Sequence, residues 1–175
     1  MGLATDGDAD RLGVLLENGE WLSSQETILL IADYLINGKM LTGHIVKTSS
    51  VTNKLEHIFS SDERNIFEVQ VGFKYICEKM IEEEVVFGCE ESGGYGYKNH
   101  IPERDGILSA LLLIEMLAKS PYKKLSEYLN EKKKAFGEIF YDRIDAEFNS
   151  EKSLNILEEL TKNPPGTLQD FHIND

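Results

Sequence analysis

Three aspartates, Asp6, Asp8 and Asp10, alternate in the stretch DGDADR, and Arg11 closes it. Alternate side chains of an extended or looped backbone share a side, so the three carboxylates converge. Converging anions repel unless a cation neutralises them. Carboxylate oxygens are hard ligands that select Mg2+, Mn2+ or Ca2+. Gly7 and Ala9 let the loop turn tightly, and Arg11 sets a fixed positive fork beside the metal, suited to a phosphate. Two other readings fit the same residues. A calcium EF-hand would take Asp6, Asp8 and Asp10 as its first ligands and Glu17 as its last, but Arg11 replaces the glycine of its sharp turn and no helix precedes Asp6. A solvated acidic turn would hold no ion.

A second stretch, GCEESGGYGY at residues 88–97, places Glu90, Glu91 and Ser92 where an apolar run ends and a glycine-rich loop begins. Carboxylates and a hydroxyl on such a loop can hydrogen-bond the vicinal hydroxyls of a sugar, and so fix its orientation. A surface turn accounts for these residues equally well. Tyr95 and Tyr97 could stack on a sugar, although burial in the core is the plainer expectation.

The elements that would position these loops follow from periodicity and punctuation. Apolar runs flank Asn18-Gly19, a hairpin signal, because both positions tolerate the positive φ of a tight turn. Residues 23–38 read as a helix with a Ser23/Glu26 capping box and a Gly38 stop. Residues 44–50, 65–69 and 85–90 read as strands. Helices are expected at 52–60 and at 72–84, the latter with Tyr75, Ile76, Met80 and Ile81 on one side. Asp105 can cap a helix at 106–120, and another spans 125–137. A strand at 139–148 and a helix at 150–163 follow, until Pro164-Pro165-Gly166 breaks the chain. Strands alternating with helices predict an α/β fold, with a mainly parallel sheet and an early antiparallel hairpin.

Bulk composition narrows the class. The 175 residues are 41% hydrophobic and 28% charged, the mix of a soluble globular protein. Thirty-one acids against 18 Lys and Arg give a formal net charge of -13, which argues against nucleic acid as a partner. The apolar runs are too short for a membrane partner. A cytoplasmic location is expected. Cys77 and Cys89 form no CxxC pattern and are expected to be reduced core thiols. Lys132, Lys133 and Lys134 read as a solvated helix face.

Taken together, TDGDADR, GCEESGG and the following HIPERDG closely resemble the α-D-phosphohexomutase superfamily, specifically its phosphoglucomutase/phosphomannomutase group. The resemblance runs from about residue 4 to at least residue 148. It implies a three-layer αβα sandwich with a mixed, mainly parallel sheet, as in the third domain of those enzymes. It also implies a reaction: a phosphoserine phosphorylates a sugar monophosphate, the hexose 1,6-bisphosphate reorients, and the other phosphate returns to the serine. Hexose 1-phosphate and hexose 6-phosphate are thereby interconverted. By motif match, Asp6, Asp8 and Asp10 would hold Mg2+, Arg11 would support the transferring group, and Glu90 and Ser92 would bind sugar hydroxyls. Lys74, in the family-like stretch GFK, would serve acid–base work or charge stabilisation, and His100 would lie near the sugar. A solvated lysine and an exposed loop histidine are the plainer alternatives for these two. The EESGG form leans towards glucose or mannose phosphate over an aminosugar phosphate.

The family's phosphoserine loop and its final phosphate-anchoring loop have no counterpart here, and Ser49 and Ser50 lack the flanking residues of the former. The expectation is therefore a fragment, inactive alone, whose partners are the absent domains 1, 2 and 4. Residues 1–17 would end domain 2 and carry the metal loop, 18–137 would form the sugar-binding domain 3, and 138–175 would begin domain 4. Weak Mg2+ binding and a mobile N-terminus are expected on this view. The alternative is a non-catalytic sugar-phosphate-binding module.

Overall fold

A computed structural model describes residues 1–142, 150–168 and 171–172. They fall into two units, Met1–Tyr141 and Asp142–Asp175. The first unit opens with a three-stranded antiparallel sheet: β1 (Gly2–Thr5), β2 (Leu12–Leu15) and β3 (Trp21–Leu22). The Asn18-Gly19 turn forms as expected, with Gly19 at φ +87° and its amide donating to Leu16 O at 3.0 Å. The N-terminal residues form a paired strand. All four residues of β1 pair with β2, because Leu3 and its neighbours have a sheet edge to complete.

Ser23 then caps α1 (Ser24–Asp33) through the expected box: its Oγ accepts the Glu26 amide at 3.2 Å, and Glu26 Oε2 accepts the Ser23 amide at 3.2 Å. The helix continues through a wider turn, Tyr34–Gly38, in which the Lys39 amide reaches back to Tyr34 O at 2.7 Å. Residues 27–36 are all buried, so α1 is enclosed on every side, which its continuous apolar run allows.

The main sheet contains β4 (His44–Thr48), β5 (Ile66–Val69), β6 (Val85–Cys89) and β7 (Tyr95–Tyr97), ordered β5-β4-β6-β7. β4 pairs parallel with β5 and β6, and β7 returns antiparallel to β6. α2 (Lys54–Phe59) and α3 (Phe73–Glu82) make the crossovers, and α4 (Gly106–Lys119) and α5 (Leu125–Phe136) follow. Phe73 and Ile76 of α3 cover one face of the sheet at Val46 and Val85. Leu55, Leu113 and Leu129 pack with Ile45, Phe87 and α1 on the other. This is the expected mixed αβα sandwich.

Several local expectations change. β7 was not foreseen as a strand; Tyr95 and Tyr97, by contrast, take the plainer of their two expected places, buried against Phe87. Ile81 points to solvent. Cys89 is buried, whereas Cys77 is only half-buried, and both thiols are free. The lysine run is not simply solvated: Lys132 pairs with Asp33 at 2.5 Å and Lys133 with Glu26 at 3.0 Å, fastening α5 to α1.

In the second unit, α6 (Ser150–Lys162) agrees with the expected helix, and β8 (Thr167–Leu168) pairs antiparallel with β9 (Phe171–His172). Of the strand expected at 139–148, residues 139–142 are irregular and the rest lie outside the described residues.

Candidate functional site

The acidic loop is the turn between β1 and β2. Ala9, at φ +59°, reverses the chain, and its amide donates to Asp6 O at 3.2 Å. Arg11 folds back on Asp6, donating from its backbone to Oδ1 at 3.2 Å and from Nε to Oδ2 at 2.6 Å. That side-chain hydrogen bond holds the Asp6 carboxyl below its usual range. Burial pushes Asp10 upward, partly opposed by the Arg104 guanidinium. Asp8 is exposed.

One oxygen from each of Asp6, Asp8 and Asp10 lies within 4.8 Å of the others. Asp10 Oδ1 is buried without a hydrogen-bond partner. A hard donor set with an unsatisfied buried oxygen fits a divalent cation such as Mg2+, and these three residues could hold it. An EF-hand does not fit: Glu17 is occupied by Ser126 at the start of α5, outside the cluster, and residues 12–15 are strand.

Glu90 leaves the carboxyl end of β6 and enters a tight turn. Its amide donates to Gly94 O at 3.0 Å, and the Gly93 amide donates to Glu90 O at 3.2 Å. The crossovers to β5 and to β6 run to opposite sides of β4, so this turn sits at the topological switch point, where open α/β sheets bind ligands. Glu90 itself is only 5% exposed. Its Oε1 accepts the Gly72 amide at 3.0 Å, and its Oε2 accepts Ser92 Oγ at 3.2 Å with Arg104 Nη1 at 3.5 Å. It therefore anchors the start of α3 as well as facing the loop. Glu91 accepts the Tyr141 hydroxyl.

The two loops are stitched together. The Leu12 amide donates to Gly93 O at 2.9 Å, and Arg11 forms an isolated antiparallel bridge with Gly94. Gly93 has φ +91°, and a Cβ there would meet Leu12 O at 2.8 Å, so only glycine suits the contact. On the other flank the Gly106 amide donates to Ala9 O at 3.0 Å, seating the acidic loop on the start of α4. Asp105 caps that helix, its Oδ1 accepting the Leu108 amide at 2.8 Å.

Of the other nominated residues, Lys74 is exposed on the first turn of α3, with Nζ 4.6 Å from the Tyr75 ring centroid. The nearby Gly72 is bound by Glu90, which brings that turn to the Glu90 loop. His100 hydrogen-bonds Asp105 Oδ2 at 2.9 Å, so it is tied to the α4 cap rather than to either loop. Three residues escaped sequence reasoning. Arg104 spans both loops, reaching Asp10 at 2.6 Å and Glu90 at 3.5 Å. Lys47 is fully buried on β4, between Glu56 at 3.0 Å and Glu68 at 2.9 Å. Gln25 of α1 bonds both Ser50 O at 3.0 Å and the Thr52 amide at 2.8 Å, holding the turn after β4. A charged residue inside a strand, an amide inside a buried helix and the place of Arg104 in the HIPERDG stretch were the signals.

Residues 23–136 match the model of the phosphoglucomutase/phosphomannomutase α/β/α domain III. A phosphoglucosamine mutase of Aliarcobacter butzleri is 37% identical over 131 residues, covering 74% of this chain and 29% of that protein. A phosphoglucomutase/phosphomannomutase of Thermococcus kodakarensis is 32% identical over 133 residues, covering 75% and 28%. A crystal structure from Thermus thermophilus, assigned as a phosphomannomutase, superposes with TM-score 0.75 at 38% identity, covering 85% of this chain and 34% of that one. The chain thus spans under a third of the length of the two curated relatives.

Proposed function

The chain belongs to the phosphoglucomutase/phosphomannomutase family, through its domain III, and from that premise we propose that it supplies the sugar-orienting and metal-holding loops of a hexose-phosphate mutase. The observation that carries this reading is the Leu12–Gly93 hydrogen bond, which sets the acidic loop beside the Glu90–Ser92 turn at the switch point. Phosphoryl transfer is chiefly positioning and charge neutralisation. Asp6, Asp8 and Asp10 would hold Mg2+, which when bound supplies positive charge for a transferring phosphoryl group. Arg11 adds a guanidinium at the same rim. Ser92, half-buried at the turn, offers a hydroxyl to the sugar, and Glu90 fixes that hydroxyl at 3.2 Å. Lys74 brings an ammonium group to the same edge as a proton carrier or charge stabiliser. His100 acts at most through the α4 cap.

In this reading the phosphoserine belongs to another domain of the same polypeptide, and a bisphosphorylated hexose is the intermediate. This segment alone binds and orients its substrate but turns nothing over. A cytoplasmic site of action suits two free thiols, and no described helix is long and apolar enough to cross a membrane. The sugar is a glucose, mannose or aminosugar phosphate, since relatives of both mutase names match.

The test is a titration of the chain with glucose 1-phosphate, mannose 1-phosphate and glucosamine 1-phosphate, with and without Mg2+, followed by amide NMR. Shifts confined to residues around Ser92 and Asp8 are expected, without interconversion. Absence of shifts with all three sugars at millimolar concentration would overturn the sugar assignment.

A further inference from the structure

Arg104 occupies a closely fitted slot. Its guanidinium lies 5.4 Å from the Phe73 ring centroid. Its stem fills the space over Gly94, where a Cβ would come within 2.3 Å of Arg104 Cδ. Nη2 is 2.6 Å from Asp10 Oδ2, and Nη1 is 3.5 Å from Glu90 Oε2. Nε is buried and makes no hydrogen bond, the Glu103 carboxylate being 3.6 Å away. One planar fork therefore faces a carboxylate from each loop, tightly bonded to the first and loosely to the second.

We propose that Arg104 is a positioning residue that couples the two loops: it stands in for a cation at Asp10, and it is handed over to Glu90 when a divalent cation takes Asp10. The proposal rests on the metal-holding role assigned above to Asp6, Asp8 and Asp10. The driving force is electrostatic. A dication on the free Asp10 Oδ1 repels the guanidinium on Oδ2 and draws off the carboxylate charge that holds it. The nearest carboxylate able to receive it is Glu90, already within 3.5 Å. A guanidinium seated on Glu90 draws that carboxylate from Ser92 and Gly72, or holds it against a ligand hydroxyl, so metal occupancy is read at the sugar-facing turn. By linkage, a ligand that recruits Arg104 to Glu90 raises metal affinity by the same factor. Arginine suits this role because its fork serves two acceptors in one plane.

The experiment uses the full chain and Mg2+ alone, measured by calorimetry and by amide NMR, in the wild type, R104Q, R104K and D10N. In the wild type, Mg2+ is expected to shift the amides of Ser92 and Gly72 as well as those of the acidic loop. R104Q removes the competing charge, so Mg2+ should bind about five-fold more tightly, the equivalent of one partly exposed ion pair. The shifts at Ser92 and Gly72 should disappear in R104Q while those at Asp8 persist. R104K, which keeps the charge, should retain wild-type affinity and most of the coupling. Unchanged or weaker Mg2+ binding in R104Q, or identical behaviour of R104K and R104Q, would overturn the handover and leave the metal assignment standing. Failure of the wild type to bind Mg2+ in a way that D10N abolishes would overturn both.

Discussion

Gly106 lies so close to Ala9 that its amide donates to the Ala9 carbonyl at 3.0 Å, and a Cβ at position 106 would sit 2.8 Å from that oxygen. The Arg11 carbonyl would be 2.7 Å away. Both obstacles are backbone atoms and cannot rotate aside. Gly106→Ala is therefore expected to push the acidic loop off α4, at a cost of about 1–3 kcal/mol. Urea denaturation measures the cost. A variant as stable as the wild type, with unchanged Mg2+ affinity, would show that the loop is not held from this side.

Glu90 and Ser92 should separate by stability. Glu90 is 5% exposed and bonded to Gly72, Ser92 and Arg104. Glu90→Gln leaves some of those groups poorly matched, and should destabilise by about 1–3 kcal/mol. Ser92→Ala loses one partly buried bond and should leave the fold intact while weakening glucose 1-phosphate binding. Thermal melts alongside ligand titration distinguish the two. Equal melting behaviour would contradict the anchoring role of Glu90.

Asp8 is exposed and makes no hydrogen bond or ion pair among the described residues. Asp8→Asn should leave the melting temperature unchanged yet lower Mg2+ affinity by about ten-fold or more, since ligand charge sets affinity in such sites. Calorimetry at low ionic strength reads this directly. Retained affinity would place the cation elsewhere.

Glu115 accepts from Lys119 at 2.6 Å and from Lys39 at 2.7 Å, tying α4 to the turn after α1. The Lys119 bond, then the Lys39 bond, hold its pKa at about 2, against 4.5 for an ordinary glutamate. A folded value below the unfolded one gives stability that is present above the unfolded pKa and lost as pH falls towards the folded one. A third of the side chain is in water, so screening limits the contribution to about 1 kcal/mol. Glu115→Gln should flatten the acid limb of the stability curve below about pH 4.5. Denaturation midpoints at about pH 6 and about pH 3 test it, and parallel limbs for the two proteins would refute it.

What the sequence disclosed was local. The Ser23–Glu26 box, the Asn18-Gly19 turn and the Asp105 cap depend on neighbours within a few residues, and all three form. The convergence of Asp6, Asp8 and Asp10 is equally local. β7 was hidden because Tyr-Gly-Tyr is short and follows two glycines, and becomes a strand only through pairing with β6 and the packing of Phe73 and Met80 over Gly96. Arg104 was hidden for a similar reason: its partners come from two distant loops. Glu90 was recognised by type, but its burial depends on where α3 begins. His100 was placed at the sugar by motif, while its bond to Asp105 follows from the path of residues 98–105.

Gln25 joins the most enclosed helix to the turn after β4. Local fraying of that turn would strip both hydrogen bonds from an amide that is 4% exposed. Such an opening leaves a buried amide unsatisfied, so the turn is expected to open together with α1 rather than alone. In a deuterium-exchange experiment the Thr52 amide should share the lifetime of the α1 amides rather than that of a surface loop. If the Thr52 amide exchanges with those of α1, the carboxyl end of β4, which pairs with β6 just before Glu90, is already set when a ligand arrives.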